Sequence, residues 1–294
     1  MKTLNTKKVE TVVAPRTPHF VGDGFRVHNF IPSGPNMDMK RMDPFIMLDY
    51  NSKFHFGATD IPRGVGVHPH RGFETVTIAY KGKVEHHDSA GGGGIIGEGD
   101  VQWMTAASGV LHKEFHETEW AREGGIFQMV QLWVNLPAKD KMSPPQYQAI
   151  KNDEMPKVDL DNNGFVEVIA GNYQDQKGAA TTFSPINMLN AKLKKGGSAS
   201  FNFPSNYNTV ALVIEGKITV NDEKTANTDH LVLFANEGED FNITAEEDAV
   251  VLILSGQPLN EPIYSHGPFV MNTREEIMQA FDDYNKGKFG YLED

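Results

Sequence analysis

Six histidines crowd one stretch, Val67 to Glu117, of a 294-residue chain that has no cysteine. Within that stretch His68 and His70 stand two residues apart, and His112 and Glu114 repeat the step. Residues two apart in an extended strand point to the same face, so each pair can converge on one point. Two such pairs on facing strands supply three imidazoles and one carboxylate, and leave coordination positions open for exogenous ligands. Neutral imidazole with one carboxylate suits borderline divalent ions such as Fe(II), Mn(II), Ni(II), Cu(II) or Zn(II), and disfavours calcium and magnesium, which prefer all-oxygen shells. Without cysteine there are no disulfides, thiolate metal sites, iron–sulfur clusters or cysteine nucleophiles, so His, Asp and Glu must do the binding.

The neighbouring histidines are separate cases. His86 and His87 are adjacent on one strand and point to opposite faces, so at most one looks into the site. His116 continues the two-residue step from His112 and Glu114 and remains open as a further ligand. His55 reads as a loop residue, and His230, alone beside Leu231–Phe234, as a strand end. Gln102 and Trp103 read as packing inside a barrel. The glycine tract Gly91–Gly94 lacks the following Lys-Ser/Thr and helix of a phosphate loop, and reads as a flexible hairpin loop.

The elements that must position these side chains are strands. Thr75–Tyr80 (TVTIAY) is rich in β-branched residues, Lys81-Gly82 supplies a turn, and Lys83–Asp88 returns, which predicts a hairpin. Val101–Thr105 is a further strand. Phe127–Asn135 is apolar on both faces, so it should be central. Pro44–Phe56 reads as a buried strand running into a loop, and Val9–Asn29 as short extended pieces broken by Pro15, Pro18, Gly22 and Gly24. Thr273 and Glu276 have capping-box spacing, and Ile277, Ala280, Phe281 and Tyr284 share one helical face, which predicts a helix over Arg274–Asn285.

The length suits two domains. Leu136–Pro156, with four prolines and several charges, reads as the connector, which sets the boundary at 136/137: an N-terminal metal-binding domain over 1–136 and a second domain over 137–294, ending in the helix. The second half repeats the first. Ala211–Val220 matches Val76–Glu85, with Gly216 where Gly82 stood, and Glu237-Gly238-Glu239-Asp240 echoes Gly97-Glu98-Gly99-Asp100. On those offsets His68 and His70 fall on Asn202 and Pro204, and His112 and Glu114 on Leu252 and Leu254, so the second copy carries no ligands.

A balance of 27 basic against 39 acidic residues, a net charge of -12, argues against direct contact with nucleic acid. No apolar run is long enough for a membrane-spanning helix, and the first residues lack the apolar core of a secretory signal, so the expected compartment is the cytoplasm.

Three strings carry a resemblance: HPHRGFETVTIAYKGKVEHHDS (His68–Ser89), GEGDVQWMTAASGVLHKE (Gly97–Glu114) and SHGPFVMNTREEI (Ser265–Ile277). With the duplicated organisation they make the chain similar to the cupin superfamily, and more closely to the pirin family within it. The resemblance implies an all-β protein of two cupin (jelly-roll-like) β-barrels packed face to face, with a short C-terminal helix and a metal in the N-terminal barrel only. It implies His68, His70, His112 and Glu114 as ligands of one divalent ion, with Fe(II) in first place. The general cupin pattern puts its carboxylate shortly after the first histidine pair, here at Glu74, which reads instead as an acid orienting its neighbours. Pirin-like proteins are associated with quercetin 2,3-dioxygenase activity, which implies a small phenolic substrate, O2 and a catalytic role for Glu114 as proton acceptor. They are also associated with transcriptional co-regulation, which implies a protein partner as the alternative. A third reading is a cupin with an unrelated small-molecule substrate.

Overall fold

The structure, a computed structural model, describes residues 5–293. Two units interleave along the chain: one takes the N-terminal segment through Pro15, Gly34–Asn36 and Glu154–Pro258, the other Arg16–Ser33, Met37–Asp153 and the segment from Leu259 onward. Relative to a single cut at 136/137, the first strand and the C-terminal segment lie with the opposite units, and the histidine-bearing unit runs on to Asp153. Strand pairing is the reason. β1 (Val9–Val13) pairs with Leu231–Phe234 of the later unit, while Arg71 bridges to Phe269 within the histidine-bearing unit.

In the histidine-bearing unit the strands are β2 (His19–Val21), β3 (Phe25–Ile31), β4 (Phe45–Phe56), β5 (Gly64–His70), β6 (Phe73–Lys81), β7 (Val84–Asp88), β8 (Gly93–Ile96), β9 (Val101–Thr105), β10 (Val110–His116), β11 (Gly125–Asn135) and β12 (Gln146–Ile150). They form a seven-stranded sheet, β12-β9-β6-β11-β4-β3-β2, and a four-stranded one, β5-β10-β7-β8. β11 is the middle strand of the larger sheet, as its two apolar faces require. The predicted strands over Thr75–Tyr80 and Lys83–Asp88 form, but not as a hairpin. β6 pairs with β9 and β11, whereas β7 pairs with β10 and β8. Between them the chain crosses from one sheet to the other at Gly82, whose φ is +84°. A Cβ there would sit 2.6 Å from Phe127 Cδ2, so only glycine fits the corner.

The later unit matches this one strand for strand. Its large sheet runs β1, 231–234, 208–215, 249–256, 186–193, 164–170, 157–159, and its small sheet 198–202, 240–245, 217–220, 224–227. Gly216, at φ +82°, makes the same crossing as Gly82. The echo between the turns at 97–100 and 237–240 is not structural, however. The first precedes a strand of the large sheet and the second a strand of the small one. The counterpart of β10 is therefore Asp240–Ala245, not the segment containing Leu252 and Leu254. Its buried, core-facing residues are Phe241, Ile243 and Ala245, and they pack with Phe201, Phe203 and Phe234. Apolar side chains fill the places where the first unit carries histidine and glutamate.

The C-terminal helix spans Arg274–Asn285, closed at its start by the Thr273–Glu276 capping box. Ile277 and Ala280 are buried as expected, but Tyr284 is exposed and Asp283 is buried instead. Asp283 turns inward because the buried Arg71 guanidinium lies 2.9 Å away.

Candidate metal centre

β5 and β10 are adjacent and antiparallel, with His112 opposite His68 and Val110 opposite His70. The alternation of strand side chains then puts His68, His70 and His112 together. Their ring centroids are 4.2 to 4.9 Å apart, and one ring nitrogen from each lies within 4.8 Å of the others. Two of the rings are oriented by backbone carbonyls: His68 Nδ1 is 2.8 Å from Gly66 O, and His70 Nδ1 is 3.2 Å from Pro268 O. Donation from Nδ1 leaves each Nε2 with a free lone pair.

His112 is oriented by a longer chain. His86 Nε2 lies 3.3 Å from Asp88 Oδ2, and His86 Nδ1 lies 3.4 Å from His112 Nδ1 and 3.2 Å from Gln102 Nε2. The arrangement that fits these distances has His86 donating from Nε2 to Asp88 and accepting at its one Nδ1 lone pair from His112 Nδ1, while Gln102 Nε2 donates to Glu114. His112 Nε2 is then a bare lone pair, buried and with no hydrogen-bond partner. Burial raises the Asp88 pKa, but hydrogen bonds from His86 and from the Gly92 and Ala90 amides outweigh it and hold the carboxyl below its ordinary range. Burial, with His68 adding to it, pushes the His70 pKa down to about 3. Burial and the neighbouring His70, His68 and His86 likewise put His112 well below its ordinary value. Both rings are neutral at pH 7, the form that binds a metal. An orphaned buried nitrogen converging with two imidazoles oriented by backbone carbonyls fits a borderline divalent ion.

Glu114, two residues along β10, faces the large sheet. Gln102 Nε2 and Thr77 Oγ1 donate to its Oε1 at 2.7 and 3.2 Å, and Gln131 Nε2 donates to Oε2 at 2.8 Å. These three donors form one rung across neighbouring strands, since Thr77 is opposite Gln102 on one side and Gln131 on the other. A carboxylate oxygen offers two lone pairs, so Oε1 is filled and Oε2 keeps one free. Glu114 also groups with His86 and His112, with ligand atoms within 4.8 Å of one another.

The other candidates separate cleanly. Thr75 and Thr77 face the site from β6, so Glu74, on the alternate face, does not join it. Thr105 Oγ1 donates to Glu74 at 2.7 Å, and burial pushes the Glu74 pKa up to about 7. His116 points inward from β10 but lies deeper, among Phe127, Phe56, Trp120 and Phe25, with ring centroids 4.5 to 5.9 Å away. Its Nε2 donates to Gly24 O at 2.8 Å. His86 is buried and looks in, while His87 faces out and meets Glu85. His55 is exposed and lies within β4 rather than in a loop. Trp103 is packing, as expected, but Gln102 holds the carboxylate. Sequence reasoning also missed Thr77, Gln131, Asp88 and Tyr147, whose ring stacks on His86 at 5.1 Å. Their own strands carried no signal that singled them out; register across neighbouring strands brings them together.

Paired sheets in each of two matching units, with a histidine–carboxylate centre in one and an apolar interior in the other, define a duplicated cupin. The chain belongs to the pirin family. The family model described as Pirin matches residues 24–134, and that described as the Pirin C-terminal cupin domain matches 188–290. A crystal structure of quercetin 2,3-dioxygenase from Acinetobacter baumannii is 51% identical, covering 98% of this chain and 99% of that one, with a TM-score of 0.91. A Pseudomonas aeruginosa relative that carries a provisional quercetin 2,3-dioxygenase name is 45% identical over 284 residues, 96% of this chain and 98% of its own. Pirin from Rattus norvegicus is 36% identical over 292 residues, 98% and 95% of the two chains. No helix among the described residues is long and apolar enough to cross a membrane.

Proposed function

We propose that this protein is a metal-dependent dioxygenase that cleaves a flavonol-like phenolic substrate with O2, in the manner of a quercetin 2,3-dioxygenase. His68, His70, His112 and Glu114 are the proposed holders of one divalent ion, Fe(II) in first place, with Mn, Ni, Cu or Zn as the other fitting ions. The observation that carries the reading is the bare, buried His112 Nε2 in the group His68, His70 and His112, with Glu114 joining His112 in a second group with His86. When bound, such an ion supplies Lewis acidity that lowers the pKa of a coordinated hydroxyl and brings the reactants together.

The chain's own groups do the rest. Glu114 takes the substrate hydroxyl proton at Oε2, the one oxygen with a vacant lone pair. Glu114 would also be one of the residues holding the ion, in which case its two roles would alternate. Thr77, Gln102 and Gln131 keep the carboxylate aimed while it does so. Trp133, stacked on Phe73 at 4.3 Å and edge-on to His70 at 5.2 Å, offers a flat wall for an aromatic ring. The overall reaction adds O2 to the flavonol, opens its central ring and releases carbon monoxide.

The test is the quercetin absorption band, followed with Fe(II)-loaded protein under air and under argon. The expected result is loss of the band under air only, with carbon monoxide released. A band that persists under air retires the proposal.

A further inference from the structure

Three polar atoms on the wall opposite the histidines have no hydrogen-bond partner: the Tyr147 hydroxyl, the Thr75 hydroxyl and Gln102 Oε1. Register explains how they come together. Tyr147 on β12 stands opposite Met104 on β9, Thr75 on β6 stands opposite the same Met104, and Trp133 on β11 stands opposite Thr75. One rung therefore runs Tyr147–Met104–Thr75–Trp133. Its ends are fixed against the histidines, with Trp133 on His70 and Tyr147 on His86, where the two rings are within 18° of parallel. The next rung, Gln102–Thr77–Gln131, holds Glu114.

Buried hydroxyls in folded proteins are nearly always hydrogen-bonded, and an orphan is costly. Here the orphans belong to the same cluster as the bare His112 Nε2: Gln102 meets Glu114 and His86, the Tyr147 ring stacks on His86, and His86 meets His112. Burial first, then the Glu114 and Asp88 carboxylates, push the Tyr147 pKa up, so its hydroxyl stays protonated and is a donor. The Thr75 hydroxyl can donate or accept, and Gln102 Oε1 accepts. A donor beside acceptors complements a substrate that carries an anionic or carbonyl oxygen next to a hydroxyl.

Building on the reading above, we propose that Tyr147 is a substrate-contacting residue whose hydroxyl donates to the oxygen of an anionic ligand seated at the three-histidine face. The ligand class is a vicinal hydroxy-carbonyl or catechol, with Thr75 and Gln102 meeting the adjacent hydroxyl. Glu114 removes the proton, and Tyr147 steadies the oxygen left behind.

The test compares wild type with Tyr147→Phe, both loaded with cobalt(II), whose visible absorption reports an incoming ligand. Each is titrated without O2, first with azide and then with quercetin. The Phe variant loses no protein–protein hydrogen bond, so metal content and denaturation midpoint should match wild type. Its affinity for both probes should fall roughly tenfold, the effect of one hydrogen bond to a charged group. Unchanged azide affinity in the variant overturns the proposal, as does a wild-type spectrum that ignores azide. Weakened azide binding with no quercetin binding by wild type retires the flavonol reading and leaves the assignment of Tyr147 standing.

Discussion

Replacing His116 by phenylalanine should make the histidine-bearing unit less sensitive to acid. His116 is fully buried among four aromatic rings, and its pKa falls from the ordinary 6.5 to about 4. Burial is the main cause. The Arg63 charge adds to it, while the Gly24 carbonyl and Asp23 oppose it. The unfolded chain takes up a proton below pH 6.5, whereas the folded protein does so only near pH 4, so stability is lost as pH falls through that window. The full loss amounts to about 3 kcal/mol, of which about 2 kcal/mol is expressed at pH 5. Phenylalanine keeps the ring contacts and removes nothing at Nδ1, which has no partner. It strips the Gly24 carbonyl of its donor, which costs about 1 kcal/mol or somewhat more. The variant should therefore be about 1 kcal/mol less stable at pH 7.5 and about 1 kcal/mol more stable at pH 5. Urea denaturation of chelator-treated protein at the two pH values measures this, with tryptophan fluorescence as the signal. All three tryptophans, Trp103, Trp120 and Trp133, lie in the histidine-bearing unit. His70 and His112 titrate in both proteins and cancel in the difference. A gap between variant and wild type that is the same at both pH values, within about 0.5 kcal/mol, refutes the assignment of His116 as a neutral buried ring.

Two further outcomes follow from the corner and the metal centre. Gly82→Ala should destabilise by about 2–3 kcal/mol, from the left-handed backbone and the clash with Phe127, whereas Gly91→Ala, at φ +90° with nothing within 4 Å, should cost only the backbone part, about 1 kcal/mol; equal midpoints for the two variants would contradict the close packing at Gly82. Adding Fe(II) or Zn(II) anaerobically at a hundredfold its dissociation constant should stabilise wild type by about 2.7 kcal/mol, and elemental analysis of His112→Ala should show the ion lost, so that stoichiometric metal in the variant would count against the ligand set.

How much of this was legible in the sequence depends on distance along the chain. The period-2 steps at His68/His70 and His112/Glu114 are local, so they revealed the shared face of each pair directly. Depth is not local. His116 obeys the same step, and only the ring wall built by Phe25, Phe56, Trp120 and Phe127 shows that it belongs to the core. The Gly82 turn signalled a reversal, but whether the next strand returns beside the last or crosses to another sheet is decided by the partners waiting there.

The least legible part was the wall facing the ligands. Thr77, Gln102 and Gln131 look ordinary within their own strands, and register across three strands makes them one carboxylate cradle. Tyr147 was hidden for a different reason. The prolines of Leu136–Pro156 signal a linker, and most of that stretch is irregular, yet Gln146–Ile150 pairs with β9 as the edge of the large sheet. The later unit fills the matching edge with β1, taken from the other end of the chain. In both units, then, the edge strand comes from outside the repeated segment, which is why the repeat could not reveal it. That strand gives the first unit an aromatic hydroxyl inside its polar centre, and the chain's own linker supplies a residue the duplicated scaffold lacks.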